Sequence, residues 1–458
     1  MTAYVPRSSG DPDGALISEL VDRAWDGRLC VYVGAGLSRP SPTEMPTSAE
    51  LVTRSAPEIR LRLTIEPEPP SGRKSLEAIG DEADSSGSLA ALKSILARFA
   101  DFHDKPPNFG HKVLALLVDE QLVRALSVNW DTCIERAAAE IGCVVSPTIT
   151  DDDRRHSTAD TRLHKLYGCI SRPESLRVTT AEITIPARWA GTEVSTALAT
   201  GSVVFIGLGT VPEQVSDAAK EVIATGHVAD LVVVDPRLSD AWSEIGVGGD
   251  RHRAESGEFF LDALLCGVLK RLLGDALVEA QKAEGGTTLP AYKALQALAE
   301  AITPLPSMPV AKWLRDGACD RRPLIRDRSA IDALMAIGMY IGDRSPLAQQ
   351  RGETATVSVG GCYLELAICQ RQPALTLIDR ESRRTQGLFE AGVYRDASAT
   401  VVHFCSGHLG SLPRRDVADD IIDTPEQGDI IDGPASVTHR WVSIGAMLEG
   451  YEVTGAAV

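Results

Sequence analysis

The sequence has 458 residues, 44% hydrophobic and 24% charged, with a formal net charge of −17. This length predicts about two or three domains and ample core. So acidic a chain is not expected to bind nucleic acid or an anionic membrane by its own field, and no apolar run reaches the roughly 18–20 residues of a membrane helix. The opening MTAYVPRSSGDPDGA has no apolar signal core, so the expected location is cytoplasmic. The nine cysteines are scattered and form no CxxC pair, which argues against a disulfide framework or a four-cysteine zinc site.

Apolar spacing predicts a helix over 14–25. LCVYV (29–33) reads as a buried strand that breaks into GAGLS (34–38). Residues 39–87 read as loops and short helices, and 88–103 and 107–118 as helices. ALSV (125–128) is strand-like and TCIERAAAEI (132–141) helical. DDDRRHS (151–157) reads as a solvated charged loop. RLHKL (162–166) is a strand and 186–200 holds a helix. SVVFIGLG (202–209) is a strand with a glycine turn, 212–226 a helix, ADLVVVDP (229–236) a strand and turn, and 257–273 a helix. Strands alternating with helices predict an α/β fold with a Rossmann-like parallel sheet and helices on both faces.

The pattern changes after about residue 275, and AEGGTT (283–288) is a plausible boundary. The expected division is therefore 1–275 and 276–458. Helices are expected near 289–302 and 328–339. Residues 354–369 read as a hairpin turning at Gly360-Gly361. PALTLID (373–379) and TVVHFC (400–405) read as strands, before an acidic loop around 415–433. The second domain is expected to be smaller and α+β. His403, Cys405 and His408 form an H-x-C-x2-H cluster, but no fourth ligand is evident, so the expected metal content is none.

A strand running into Gly-Ala-Gly is a common phosphate cradle, because glycine lets the backbone approach a pyrophosphate. VYVGAGLS alone is a weak signal, since the third glycine of the dinucleotide fingerprint is missing. Four further segments accompany it. VYVGAGLSRPSPTEMPT (31–47), KPPNFGHKVLALL (105–117), ALSVNWDTCIERA (125–137), HKLYGCISRP (164–173) and VVFIGLGTVPEQV (203–215) together resemble the ordered motifs of the sirtuin family, especially its bacterial, NAD-hydrolysing, defence-associated branch. The resemblance covers roughly residues 25–240. Two departures stand out. The two CxxC pairs of zinc-bearing deacetylases are absent, so no zinc domain is expected. Tyr167 stands where the family carries its catalytic histidine.

The resemblance implies NAD as substrate. Asn129 would orient the ribose and the attacking water, and Asp131 would contact nicotinamide or its ribose. Tyr167 occupies the catalytic position. An ordinary tyrosine, with a pKa near 10, is a poor base but can donate a hydrogen bond. His164 is an alternate, expected on the opposite strand face from Tyr167. Gly34, Ala35, Gly36, Ser38 and Thr47 would hold the cofactor, with Gly207, Gly209 and Thr210 forming a second approach. Asp235, ending the next strand, could accept from ribose hydroxyls and disfavour a 2′-phosphate. His111 reads as structural. Expected partners are NAD or ADP-ribose, with a homo-oligomer or a defence-system protein. The leading function is an NAD hydrolase responding to a trigger or partner. The alternatives are a regulatory module that binds NAD or ADP-ribose without turnover, and an NAD-dependent deacylase.

Overall fold

The computed structural model describes residues 12–99, 102, 105–156, 162–185, 187–224, 230–284, 290–320, 323–369, 374–394, 399–406, 430–432 and 437–455. The acidic stretch 415–429 and His408 lie outside the described residues. The chain divides into two compact units, Met1–Leu264 and Leu265–Val458. The division falls inside one helix, Gly257–Glu284, which continues beyond the expected 257–273.

The first unit is a Rossmann-like α/β domain. Its strands are β1 (Leu29–Val33), β2 (Val123–Ser127), β3 (Ser146–Thr148), β4 (Arg162–Lys165), β5 (Ser202–Ile206), β6 (Asp230–Val234) and β7 (His252–Arg253). They form one sheet in the order β3-β4-β2-β1-β5-β6-β7, and every pairing is parallel. All five residues of β1 and of β5 are buried, as expected of central strands covered on both faces. Cys30, Tyr32, Val203 and Phe205 point into a core shared with Trp189, Leu198, Val215 and Trp242. Phe205 centres this layer, 4.9 Å from Trp242 and 5.5 Å from Tyr32 between ring centroids.

The stretch 39–87 differs from its reading as loops and short helices. It contains a 16-residue helix, Ser48–Leu63, and a shorter one, Leu76–Ser85. Pro57 lies inside the first helix, and a proline there masks the helical signal. Leu51, Val52 and Ile59 pack with Ile79, Leu92, Leu96 and Ile170 into a separate helical core. DDDRRH also folds, as the short helix Asp151–His156. Its acids occupy the first turn and its bases the last, matching the helix dipole. Asp153 accepts from the N–H of Thr150 at 2.9 Å and from Arg172 at 2.8 Å.

The second unit carries a six-stranded mixed sheet. Its strands are β8 (Leu347–Arg351), β9 (Thr354–Val359), β10 (Cys362–Ala367), β11 (Ala399–Cys405), β12 (Ile430–Asp432) and β13 (Val437–Ser443), in the order β12-β13-β11-β10-β9-β8. Strands β10, β11 and β13 are parallel, whereas β8, β9 and β10 form an antiparallel meander. The β9–β10 hairpin turns at Gly360 and Gly361, both with positive φ, as a two-residue hairpin loop requires. PALTLID does not form a strand: the helix Ala374–Glu390 begins within it. That helix buries Leu377, Glu381 and Thr385, so its inner face is partly charged and carries no clean apolar period. The helix Ser307–Arg315 is a further element that sequence spacing did not reveal.

Two turns of the first unit meet backbone to backbone. The Gly34 N–H donates to Ile206 O at 2.9 Å and the Gly36 N–H to Gly207 O at 2.7 Å. A Cβ on Gly207 would lie 2.6 Å from Gly36 Cα, and Gly207 has φ +62°. Gly209 also has positive φ, +69°, but open space around it. Gly209→Ala should therefore cost about 1–2 kcal/mol from backbone strain alone, and Gly207→Ala at least about 3 kcal/mol. Urea unfolding midpoints at unchanged m-value measure the difference; equal costs would contradict the packing described.

Candidate functional site

The site lies at the C-terminal ends of β1, β2 and β5, where an open α/β sheet changes winding direction. After β1 the chain makes a 3-10 turn, Ala35–Ser38, with Ala35 and Gly36 exposed and Leu37 and Ser38 buried. The N–H groups of Gly34 and Gly36 are spent on the β5 turn. Ala35, first in its turn, retains an N–H without an intrahelical partner. These glycines therefore serve the mutual approach of two turns as well as any ligand.

Ser38 is the hub of the site. Its hydroxyl donates to Asp131 Oδ2 at 2.9 Å, and Asn129 Nδ2 donates to it at 3.2 Å. His111 Nε2 lies 3.0 Å from the same oxygen. The proton on this ring is assigned by its other nitrogen: Nδ1 accepts from the Asn108 N–H at 3.2 Å, so Nε2 carries the hydrogen and donates to Ser38. Ser38 thus accepts twice and donates once, and has no lone pair or proton to spare. Asn108 also caps its helix through the His111 N–H and donates to Leu37 O at 2.7 Å. The third residue of the helix Phe109–Asp119 is in this way tied to the turn after β1.

Asn129 is half-buried just past β2. Its amide donates to Gly34 O at 3.0 Å and to Ser38 Oγ. With both protons held, Oδ1 is the atom left to accept from a ligand or water. Asp131 is buried, and its oxygens accept from Ser38 and from the Cys133 N–H at 3.0 Å. Burial, the largest single influence, would raise its pKa, but Lys165, the neighbouring His111 and those two hydrogen bonds together outweigh it and hold the carboxyl below its ordinary value. Lys165 is itself buried, donating to Asp131 O and lying 3.4 Å from Glu135 Oε1. Burial disfavours its charge, yet Glu135, with Cys169 and Asp131, keeps the ammonium above its usual pKa.

His111, Asp131 and Cys133 place ligand atoms within 4.8 Å of one another. The donor set does not suit a cation: both nitrogens of His111 are engaged, and Lys165 occupies the neighbouring charge position. In the second unit, His403 Nε2 lies 2.9 Å from His439 Nδ1, and His403 stacks on Trp441 at 4.4 Å.

Tyr167 is half-buried against the core that contains Trp189. Burial pushes its hydroxyl up to about 12, with Arg177 opposing and Glu213 and Glu77 adding. It is protonated at neutral pH, a donor and not a base. His164 is fully buried, with its ring 6.3 Å from Trp189 and Nε2 3.8 Å from Glu193. The expected opposition of His164 and Tyr167 fails, because β4 ends at Lys165 and Tyr167 belongs to the following turn. Both rings lie against the Trp189 layer. Thr47 caps the helix Ser48–Leu63, its hydroxyl exchanging hydrogen bonds with Glu50. Asp235 accepts from the Gly209 N–H at 3.2 Å and the Arg237 N–H at 3.1 Å. It ties the turn after β6 to the turn after β5, and Thr210 is exposed beside it. Ser38–His111 coupling is what motif reading missed: the two are 73 positions apart, and only the fold joins them.

Residues 123–240 match the family model described as SIR2-like domain. None of the curated proteins matches the chain in sequence. Among solved structures, similar chains include one described as "Structural Basis for the Mechanism and Regulation of Sir2 Enzymes", 15% identical, covering 56% of this chain and 97% of that one, with a TM-score of 0.35. A second, a Sir2 homologue–NAD complex, is 14% identical over 59% of this chain and 98% of that one, also at 0.35. A third, an F159A Sir2 homologue with ADP-ribose, is 13% identical over 56% and 97%, at 0.34. The strand order β3-β4-β2-β1-β5-β6-β7 defines the fold independently of these likenesses.

The buried imidazole has a signature in stability. Burial, with Lys165 adding and Asp131 opposing, lowers the His111 pKa to about 4 from 6.5. The unfolded chain then binds more protons than the folded one between those values, so this stabilising contribution is complete above pH 6.5 and lost on descending to 4. At about 1.36 kcal/mol per unit, the loss is about 3 kcal/mol. Urea unfolding should show the stability margin of wild type over His111→Gln shrinking by that order between pH 7 and 4. A constant margin would mean that His111 is not neutral in the fold.

Proposed function

We propose that the first unit hydrolyses the nicotinamide–ribose bond of NAD. The observation that carries this reading is the fixed amide of Asn129. Its two protons are anchored on Gly34 O and Ser38 Oγ, so Oδ1 is aimed from the C-terminal edge of β2 with little rotamer freedom to lose. In the proposed reaction Oδ1 accepts from the attacking water and the ribose. The C1′–N bond breaks, nicotinamide leaves with the bonding pair, and water oxygen bonds C1′. One proton passes to solvent and ADP-ribose remains. Asp131 and His111 act through Ser38 as positioning residues. Tyr167, protonated, donates to a ribose hydroxyl. Asp235 and the turns at Gly34–Gly36 and Gly207–Thr210 face the adenosine diphosphate. The SIR2-like match over 123–240 supports the choice of NAD. The setting in bacterial defence, and activation by a trigger, a partner or self-assembly, come from the resemblance of the five motifs.

A second reading is favoured by one specific observation: Tyr167 cannot serve as a base near pH 7. On that reading the unit binds NAD or ADP-ribose without turnover. NAD consumption and nicotinamide release, followed across protein concentrations, separate the two. Wild type should consume NAD with water alone. Asn129→Ala should lose at least about 100-fold, and Tyr167→Phe about tenfold. Saturable binding with no product at any concentration would select the binding module. Consumption only with an acyl-lysine peptide would select a deacylase, and full activity in Asn129→Ala would overturn the site.

A further inference from the structure

The sheet of the second unit is not covered evenly. On one face, the helix Ser307–Arg315 packs on β9 and β10, and Trp313 Nε1 donates to Leu364 O at 2.9 Å. On the other face, the helix Ala374–Glu390 lies against β10, where Arg384 Nη2 meets Glu365 Oε2 at 3.0 Å. Beyond β10, on that same face, the described residues leave an opening over β9 and β8. A cavity of about 310 Å³ occupies the opening.

Its floor is one pleat face of three antiparallel strands. Gln349 and Arg351 of β8 line it at alternate positions, followed by Thr356 and Ser358 of β9 and Tyr363 of β10. Gln349 pairs with Thr356 and Ser358 with Tyr363 in the ladder, so these side chains form a continuous patch. Val393, just past the helix, closes the wall, and the Tyr363 ring lies tilted against Tyr394, with centroids 4.4 Å apart. A polar pleat facing water is ordinary for an antiparallel sheet. Arg351 is the one charged side chain among the residues that line the cavity. Arg351 forms no ion pair among the described residues, and no carboxylate lines the cavity. Arg344, whose Nη1 would lie 3.7 Å from a Cβ on Gly360 at the rim, is already engaged, donating to Ile341 O and Tyr340 O and lying over the Tyr340 ring.

We propose that this cavity binds a small phosphomonoester whose organic part is no larger than a nucleoside. Arg351 supplies the planar fork that matches phosphate oxygens. Thr356 and Ser358 donate only long bonds, 3.4 Å, to β8 carbonyls, so both hydroxyls can turn to the ligand. The amide of Gln349 has no partner among the described residues and reads hydroxyl or ring nitrogen groups. Tyr363 and Val393 cover the apolar edge. The volume lies at the low end for small-molecule sites, which excludes a dinucleotide.

The test uses the full chain with inorganic phosphate, ribose 5-phosphate, AMP and citrate in calorimetric titrations, and hydrogen exchange to locate the site. Ribose 5-phosphate or AMP should bind and protect backbone amides within 347–363. Arg351→Gln should weaken that binding at least about tenfold. Ser358→Phe, which fills the cavity while leaving Arg351, should do the same. A preference for ribose 5-phosphate or for AMP identifies a sugar or a nucleotide source. The proposal is overturned by no phosphomonoester binding at millimolar concentration, by protection elsewhere that Arg351→Gln leaves intact, or by phosphate or citrate binding as tightly as the esters.

Discussion

Everything at the candidate site depends on two peptide backbones approaching closer than side chains permit. The turn after β1 rests on the turn after β5 through Gly36 N–H to Gly207 O at 2.7 Å. That contact fixes where the 3-10 turn lies, and so where Ser38 and the Gly34 carbonyl lie. Those two groups hold the amide of Asn129, which arrives from the neighbouring strand. The geometry of a group past β2 is thus set by glycines past β1 and β5. A side chain at either glycine would displace the hub before it touched any ligand.

Both units also bury ionic groups, and in both the charges are completed rather than isolated. In the first unit Lys165 bridges Asp131 O and Glu135. In the second, Arg384 lies between Glu365 and Glu381, and the Tyr394 hydroxyl donates to Glu365 at 3.1 Å. Buried pairs contribute little net stability against an apolar alternative, but losing one member leaves an uncompensated charge. Their effect is to restrict the chain to one arrangement. Lys165 holds the Asp131 backbone, and Arg384 fixes the helix Ala374–Glu390 on β10 beside the cavity lined by β8 and β9.

Legibility from sequence followed the physics of each segment. The strands β1, β5 and β6 were readable because burial on both faces makes them continuous apolar runs, whereas β2 was read only from Ala125, since the exposed Arg124 interrupts it. The Gly360-Gly361 turn was readable because few residues tolerate positive φ twice. The helix over 374–390 was not, since its buried face holds Glu381 and Thr385 among apolar residues. Nor was the helix Ser48–Leu63, which carries Pro57. At the site, Asn129, Asp131 and Tyr167 were accessible as motif positions. The role of Ser38 as a hub for His111 was not, because hydrogen-bond partners 73 residues apart leave no local pattern.

Tyr167, at the position where the resembled sirtuin motif has a histidine, bears on which chemistry the proposed site can support. A tyrosine held protonated by burial cannot remove a proton from a weakly acidic hydroxyl near pH 7, so a route that needs a ribose alkoxide is closed to it. Cleaving the bond from C1′ to a positively charged pyridine nitrogen makes a lighter demand. The leaving group departs neutral, and the oxocarbenium-like carbon it leaves is electrophilic enough to accept water that has not first been deprotonated. What the protein must then supply is orientation and a hydrogen-bond acceptor for that water. In the proposed reaction the anchored amide of Asn129 offers both without any titrating group. For the proposed reaction, a tyrosine at this position is therefore a restriction to water as nucleophile and not an obstacle to breaking the bond.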